Sequence, residues 1–389
     1  MAPPPGRFPV TPHPIPDPWR ERLERAARER STLGRTRSIH PPQGLDFCSN
    51  DYLGLRQDPR LAEAAARAAR DFGSGSGAAR LLRGTTPLHE ELEAALALWK
   101  GAEACLLFNT GYQCNATVVP ALVQPGDAVF SDALNHASLV DGCRTAKARG
   151  AHLGIFRHRD LADLELQIDH WRGLNPDEGQ ILVLTDAIFS MDGDAADLPG
   201  LLALCERHHA LLMVDEAHAS GLLGPSGAGL AEYQGLKGRI PLLMGTLGKG
   251  LGSFGAFLAC DHLLREHLVN TCRGFIFSTA LPPPCLGASL EALRINQAEP
   301  WRREKALALA DRLRTALGLP AQPSAIVPVI VGADAAAVRM ALALQSRGFD
   351  VRAVRPPTVP EGSARLRITT GAHLEEAQVE RLIAALNGL

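Results

Sequence analysis

A chain of 389 residues with 46% hydrophobic and 21% charged residues has room for two domains or one large α/β unit, and the make-up of a globular enzyme. Its formal net charge of -2 argues against general nucleic-acid binding, which needs a basic surface, and no apolar run approaches the roughly 18 residues that a membrane span requires. The eight cysteines are scattered and form no C-x-x-C pair, which reads as reduced thiols in a cytoplasmic protein.

From Met1 to Pro18 the chain holds eight prolines and no apolar core, so a disordered or extended arm is expected there rather than a secretory signal. Residues 19–30 have helical spacing with a charged face, and the globular body is expected to begin near residues 45–52. The strongest local helix covers residues 87–100. Pro87 suits its first position, Leu88, Leu92, Ala95, Leu96 and Trp99 line one face, and Lys100-Gly101 closes its C-terminal end.

Short apolar runs follow at residues 104–108, 128–130, 181–185, 211–215, 242–246 and 256–259. Helix-like stretches separate several of them, the alternation of a largely parallel sheet with crossover helices. Ligands in such folds sit beyond the carboxyl ends of the strands. Those ends carry Asn109-Thr110-Gly111-Tyr112, Asp186, Asp215-Glu216-Ala217-His218 and residues 246–249. After Leu281-Pro282-Pro283-Pro284 the pattern becomes α+β: a long helix over 286–317, a strand over 324–331, a helix over 334–348, a strand over 365–369 and a closing helix. The expected division is an arm with a helix (1–45), a large α/β domain whose mostly parallel central sheet is flanked by helices (46–282), and a smaller α+β domain (283–389).

Lys249 stands among glycines in Gly245-Thr246-Leu247-Gly248-Lys249-Gly250-Leu251-Gly252, in a chain with five lysines among forty basic residues. Where arginine is the default cation, a lysine in such a loop suggests an amine that must lose its proton, as a Schiff base requires. Asp215-Glu216-Ala217-His218 also resembles the acidic tetrad of a nucleotide-driven motor. That machinery needs G-x-x-x-x-G-K-[ST], whereas Gly248-Lys249 is followed by Gly250 and has Leu243 in place of the first glycine. Gly73-Ser74-Gly75-Ser76-Gly77-Ala78-Ala79-Arg80 lacks the third glycine of a dinucleotide loop. His208 and His209 are adjacent rather than a helical turn apart, so no metal site is expected.

What fits is pyridoxal phosphate, which needs a lysine to bind it and a carboxylate to keep its ring nitrogen protonated. It also needs an aromatic ring to stack on it and backbone amides at a helix N-terminus for its phosphate. Lys249, Asp215 and His136 suit the first three needs; Gly111, Tyr112 and Thr246 suit the last.

With these residues in place, the chain resembles the α-oxoamine synthase family of fold-type-I pyridoxal phosphate enzymes, from about Asp46 to the C-terminus. The resemblance is carried by Ser49-Asn50-Asp51-Tyr52-Leu53-Gly54-Leu55, residues 73–84, Asn135-His136-Ala137-Ser138-Leu139, Phe189-Ser190-Met191-Asp192-Gly193-Asp194, residues 214–218 and residues 245–252. It implies that Lys249 carries the cofactor and removes the α-proton of a bound amino acid, that Asp215 pairs with the ring nitrogen, and that His136 stacks on the ring. It further implies that Ser190 and His218 bond the phenolic oxygen region, and that Gly111, Tyr112 and Thr246 hold the phosphate side. On the substrate side it implies that Arg367 binds the carboxylate with help from Asn50, that His136 also faces substrate, that Thr358 lines the acyl pocket, and that an N-terminal arginine, Arg35 or Arg37, makes a further contact.

Within the family, Arg355-Pro356-Pro357-Thr358-Val359-Pro360 resembles the members that join L-alanine to a pimeloyl thioester of coenzyme A or an acyl carrier protein. The other reading keeps the chemistry and takes glycine or serine with a different acyl-CoA. The family also implies a homodimer, with Ser278-Thr279 reaching the neighbour's cofactor. Two positions depart from the family pattern: Asp186 stands where a glutamate is usual, and Arg83-Gly84 where Ser-Gly is usual.

Overall fold

The structure, a computed structural model, describes residues 15–175 and 179–389. The expected proline-rich arm lies, up to residue 14, outside the described residues. The first half of the chain runs α1 (Asp17–Thr32), β1 (Leu45–Asp46), α2 (Pro59–Phe72), a π-helical turn (Arg80–Gly84), α3 (Pro87–Lys100), β2 (Ala104–Phe108), α4 (Gly111–Leu122), β3 (Ala128–Asp132), α5 (Ala137–Ala148), β4 (His152–Phe156), α6 (Leu161–Leu174) and β5 (Ile181–Asp186). Next come α7 (Leu198–Arg207), β6 (Leu211–Asp215), α8 (Leu230–Tyr233), β7 (Leu242–Thr246), β8 (Ala256–Cys260), α9 (His262–Thr271) and α10 (Arg273–Ile276). The C-terminal part runs α11 (Pro283–Ala298), α12 (Trp301–Ala316), β9 (Ile326–Gly332), α13 (Asp334–Ser346), β10 (Phe349–Asp350), β11 (Arg352–Val354), β12 (Ala364–Thr369) and α14 (Glu376–Asn387).

Seven strands form one sheet in the order β2-β8-β7-β6-β5-β3-β4, parallel except that β8 runs against both neighbours. Successive residues of the central strands fall into two cores. Phe130, Val183, Val214 and Leu243 pack with α6 and α7, while Val129, Leu182, Met213 and Leu242 pack with α4, α5 and α9. Both faces are therefore covered, which is why these strands read as unbroken apolar runs rather than alternating ones. β4 escaped the sequence reading for the opposite reason. It is the edge strand, and its exposed His152 and Ile155 and its buried Gly154 leave no apolar run.

The helix expected over 87–100 is α3. Thr86 and His89 form a capping box, Pro87 opens the helix, and Gly101 closes it at φ 75°, where a side chain is disfavoured. Its last residue does something the sequence did not disclose: Lys100 is buried. The single long helix expected over 286–317 is two, α11 and α12, interrupted at Glu299-Pro300, because proline has no N–H to continue the ladder and crowds the preceding turn.

Beyond α11, β9, β11 and β12 make an antiparallel sheet covered by α12, α13 and α14. The chain enters this unit early, since β1 pairs in parallel with β10 and Phe47 packs in its core. Alternate residues of β12 point one way and bond the rest of the molecule: Arg365 to Asp192, Arg367 to Ser190, and Thr369 to the Ser49 carbonyl at 2.7 Å. This row brings the 49–50 segment and the 190–192 segment to the same place.

Candidate active site

The carboxyl ends of β5, β6 and β7 deliver Asp186, Asp215 and Thr246, with Asp186 and Asp215 side by side in register. After β7 the chain turns tightly. The Gly252 amide bonds the Lys249 carbonyl at 2.9 Å, and a Cβ on Gly252, at φ 62°, would lie 2.6 Å from the Arg56 amide. The glycine is thus required by close packing as well as by its dihedral, and the turn presents Lys249 inward.

Lys249 Nζ lies 2.9 Å from Nε2 of His218. The other ring nitrogen, Nδ1, is 2.7 Å from the Tyr52 hydroxyl, which donates to Asn50 Oδ1 at 3.1 Å. Arg367 Nη2 donates to the same oxygen at 3.0 Å, and its Nε donates to the Ser190 carbonyl at 2.5 Å. With the phenolic proton given to Asn50, Nδ1 of His218 carries a proton toward Tyr52, and Nε2 offers its lone pair to the lysine. Burial, then Lys249, Arg367 and His136, push this imidazole well below its usual range, so it is neutral.

On the opposite side, Asp215 is buried with both oxygens satisfied. Oδ1 accepts from the Ala217 amide at 2.8 Å, and Oδ2 accepts from Asn115 Nδ2 at 2.7 Å. Asn115 also donates to Ser138 Oγ at 3.0 Å, and that hydroxyl lies 2.7 Å from Nδ1 of His136. The His136 amide donates to Asp186 Oδ2 at 3.2 Å, while Asp186 Oδ1 is buried without a partner among the described residues. Burial, with Asp215 alongside, pushes the Asp186 carboxyl well up, against the pull of Lys249. Burial also lowers His136, with Lys249 adding to the effect and Asp215 opposing it.

These fields converge on the amine. Burial pushes Lys249 down to about 8; Asp215 and Asp186 oppose the shift, and Arg367 adds to it. At pH 7 about a tenth of such an amine is free, against roughly one in three thousand for an ordinary lysine. An amine able to act as a nucleophile or to accept a proton is therefore partly available at neutral pH.

The structure thus links Lys249, His218, Asn50, Arg367 and the backbone of Ser190 in one chain of contacts, and His136, Asp215 and Asp186 in a second. Gly111 and Tyr112 form the first turn of α4, where backbone N–H groups have no carbonyl a turn earlier to accept them. The Tyr112 hydroxyl bonds Asp141, and the Thr246 hydroxyl donates to the Gly255 carbonyl at 3.0 Å. Arg35 is held by Asp334 at 3.0 Å and Glu361 at 2.6 Å, Arg37 is exposed, and Thr358 is exposed on the loop between β11 and β12. None of the hydrogen bonds or ion pairs of Arg35 and Thr358 reaches the Lys249 cluster. Tyr52, Asn115 and Ser138 were not singled out from sequence. Tyr52 and Ser138 lie inside the 49–55 and 135–139 motifs, and Asn115 sits one helical turn after Gly111, a spacing that points to it.

The chain belongs to the aminotransferase class I and II family, which matches residues 42–386. An 8-amino-7-oxononanoate synthase from Anaeromyxobacter dehalogenans (strain 2CP-1) is 52% identical over 347 residues, spanning 88% of this chain and 85% of that protein. One from Alkalilimnicola ehrlichii is 49% identical over 347 residues, spanning 87% and 86%. Among solved structures, a serine palmitoyltransferase from S. paucimobilis with a bound PLP–myriocin adduct superposes with a TM-score of 0.87 at 30% identity, covering 95% of this chain and 97% of that one. An 8-amino-7-oxononanoate synthase from Francisella tularensis gives a TM-score of 0.73 at 24% identity, covering 89% and 97%, which speaks for the fold alone.

Proposed function

We propose that this protein catalyses the reaction of an 8-amino-7-oxononanoate synthase: the decarboxylative condensation of L-alanine with a pimeloyl thioester, which yields 8-amino-7-oxononanoate, carbon dioxide and the free carrier thiol, in biotin biosynthesis. The observation that carries the reading is the Lys249 amine, pushed down to about 8 and aligned on neutral His218, opposite the paired carboxyls of Asp186 and Asp215. Identity near 50% to synthases of that name, against 30% to the serine palmitoyltransferase, supports L-alanine and a pimeloyl thioester as the substrates within the α-oxoamine synthase family.

The cofactor is pyridoxal phosphate, and the residues present fit it: a lysine amine with its pKa lowered to about 8, an anchored carboxylate, an imidazole held by Ser138 and the first-turn amides of α4. When bound, it supplies the electron sink that takes up charge as the α-proton and then the carboxyl group leave. Lys249 would hold the group through Nζ, and the same atom would accept the α-proton of the amino acid. His218 Nε2 orients that amine. Asp215, fixed by Asn115 and Ala217, would hold the ring nitrogen, and His136 would hold the ring face. Arg367 and Asn50 bind the alanine carboxylate, the guanidinium offering a planar fork that lysine lacks.

For the remaining roles we keep Ser190 and His218 at the phenolic oxygen, Gly111, Tyr112 and Thr246 at the phosphate, and Thr358 and Arg35 or Arg37 at the acyl substrate. We also propose a homodimer in the cytoplasm, with Ser278 and Thr279 facing the partner. Phe277 and Leu82, 70% and 83% exposed, are apolar surface that a second copy would cover. No helix among the described residues is long and apolar enough to cross a membrane.

The test supplies the holoenzyme with L-alanine and, in turn, pimeloyl-CoA, pimeloyl acyl carrier protein, acetyl-CoA, succinyl-CoA and palmitoyl-CoA, and measures carbon dioxide and the amino ketone formed. Release from a pimeloyl donor alone supports the reading and identifies the carrier. Turnover of glycine or serine with another donor would replace it.

A further inference from the structure

Between β4 and α6, His158 holds two carboxylates that belong to opposite walls of the site. Its Nδ1 is 2.9 Å from Asp132 Oδ1 and its Nε2 is 2.9 Å from Asp194 Oδ2, and the ring stands edge-on to Phe189 with centroids 4.4 Å apart. Asp132 ends β3 and organises the turn that delivers His136. Its side chain accepts from the Leu134 and Arg159 amides, each at 2.8 Å, and its carbonyl accepts from the Asn135 amide at 3.2 Å. Asp194 closes a turn in which the Phe189 amide bonds the Asp194 carbonyl at 3.0 Å and the Gly193 amide bonds the Phe189 carbonyl at 2.8 Å. Inside that turn lie Ser190, whose carbonyl anchors Arg367, and, two residues on, Asp192, which pairs with Arg365.

We propose that His158 is a positioning residue for the condensation, clamping the turn that carries His136 to the turn that anchors Arg367 and so setting the spacing between cofactor ring and amino-acid carboxylate. A neutral imidazole donates from one nitrogen only, so a ring between two carboxylates needs both protons. The surroundings supply them. Burial alone would lower this histidine, but hydrogen bonds and charge from Asp132 and Asp194 outweigh it and push it up to about 9. Around the pair, Arg159 lies 3.1 Å from Asp194 Oδ2 and the buried Asp186 carboxyl feels the charge of Asp132, whereas Arg157 turns to Asp160 and Asp163. The clamp is therefore closed across the neutral range and opens as pH rises past about 9.

The proposal rests on the alanine reading above, and the experiment separates the two. L-alanine binding to the holoenzyme is followed by the change in cofactor absorbance, kcat and KM for L-alanine are measured from pH 7 to pH 10, and amide exchange is compared with and without cofactor. A wild-type protein with no response to L-alanine would remove the functional reading itself. Given a response, His158→Ala and Asp194→Ala should each weaken L-alanine about tenfold, carried by KM, while the cofactor is retained, because a small displacement of a binding group is felt at the reacting centre. The double variant should be no weaker than either single one, since each single change already breaks the Asp132–His158–Asp194 clamp. The ratio of variant to wild-type KM should fall toward one above pH 9, and amides of 132–136 and 189–194 should exchange faster while those of 242–246 do not. Should His158→Ala fail to fold, Asp194→Asn carries the same measurements with a smaller expected change. Lower thermal stability with unchanged KM, or a KM ratio that stays constant with pH, would overturn the clamp and leave His158 a purely structural residue.

Discussion

Replacing Lys100 by methionine should destabilise the protein by an amount that depends on pH in a calculable way. Lys100 and Glu216 are both 0% exposed in their side chains, and the ammonium has Glu216 Oε2 at 2.5 Å, Ser220 Oγ at 2.8 Å and the Ala228 carbonyl as its partners. Glu216 Oε1 accepts the Ala231 amide at 2.8 Å, and the carboxylate is packed so closely on Gly229 that a Cβ there would come within 2.2 Å of it. In Lys100→Met the carboxylate cannot reach water, so the cheapest folded state is the one in which Glu216 takes up a proton. Starting from the ordinary glutamate value of about 4.3, that costs about 1.4 kcal/mol per pH unit, or about 3.7 kcal/mol at pH 7 and about 1 kcal/mol at pH 5. The first figure lies within the roughly 3–5 kcal/mol typical of breaking a buried pair. The sign follows from linkage: in the variant the unfolded chain ionises Glu216 first, so stability is lost as pH rises above about 4.3. Urea unfolding of wild type, Lys100→Met and Lys100→Met/Glu216→Gln between pH 5 and pH 8 measures this. The single variant should lose ground steadily with pH, and the double variant should abolish the slope and recover much of the loss. Equal destabilisation at pH 5 and pH 8, or no recovery in the double variant, would refute the reasoning.

Lys249→Ala should keep the circular dichroism spectrum of the fold and abolish both turnover and covalent retention of the cofactor; retained turnover would remove the lysine from the mechanism. Because burial lowers the amine to about 8, the rate of cofactor capture by the apoprotein should rise with pH through about 8 and level off above it. A midpoint near 10 in stopped-flow absorbance would contradict that. Arg367→Lys loses the contacts to Ser190 and Asn50, each a charge-assisted hydrogen bond, and should raise KM for L-alanine roughly ten- to a hundred-fold, equivalent to about 1.5–3 kcal/mol; an unchanged KM would place the carboxylate elsewhere. In Asp215→Ala the donors of Asn115 and Ala217 lose their acceptor, and cofactor affinity by equilibrium dialysis should drop. An unaltered affinity would show that the ring nitrogen does not depend on this carboxylate.

What the sequence determined by itself is local or covered on both faces. The central strands were legible because covered parallel strands are continuously apolar, and α3 because its proline, stripe and glycine all lie within one segment. Lys249, Asp215 and His136 stand out because each sits in a short motif whose residue types the proposed chemistry demands, and the structure brings the three within each other's fields. The edge strand β4 and the break between α11 and α12 were missed because a solvent-facing strand has no apolar run and because the long apolar pattern concealed Pro300.

Only the tertiary structure decided which residues act together. Asn50 and Arg367 are 317 positions apart, Arg367 and Ser190 are 177 apart, and both contacts arise from the alternation of side chains along β12. Lys100 read as the charged end of a helix and proved to be the buried partner of Glu216, 116 positions away. Residue spacing can place a side chain on a face, but burial and hydrogen-bond partners depend on which other segment arrives there. The lowering of Lys249, the neutrality of His218 and the raising of His158 are consequences of that arrival.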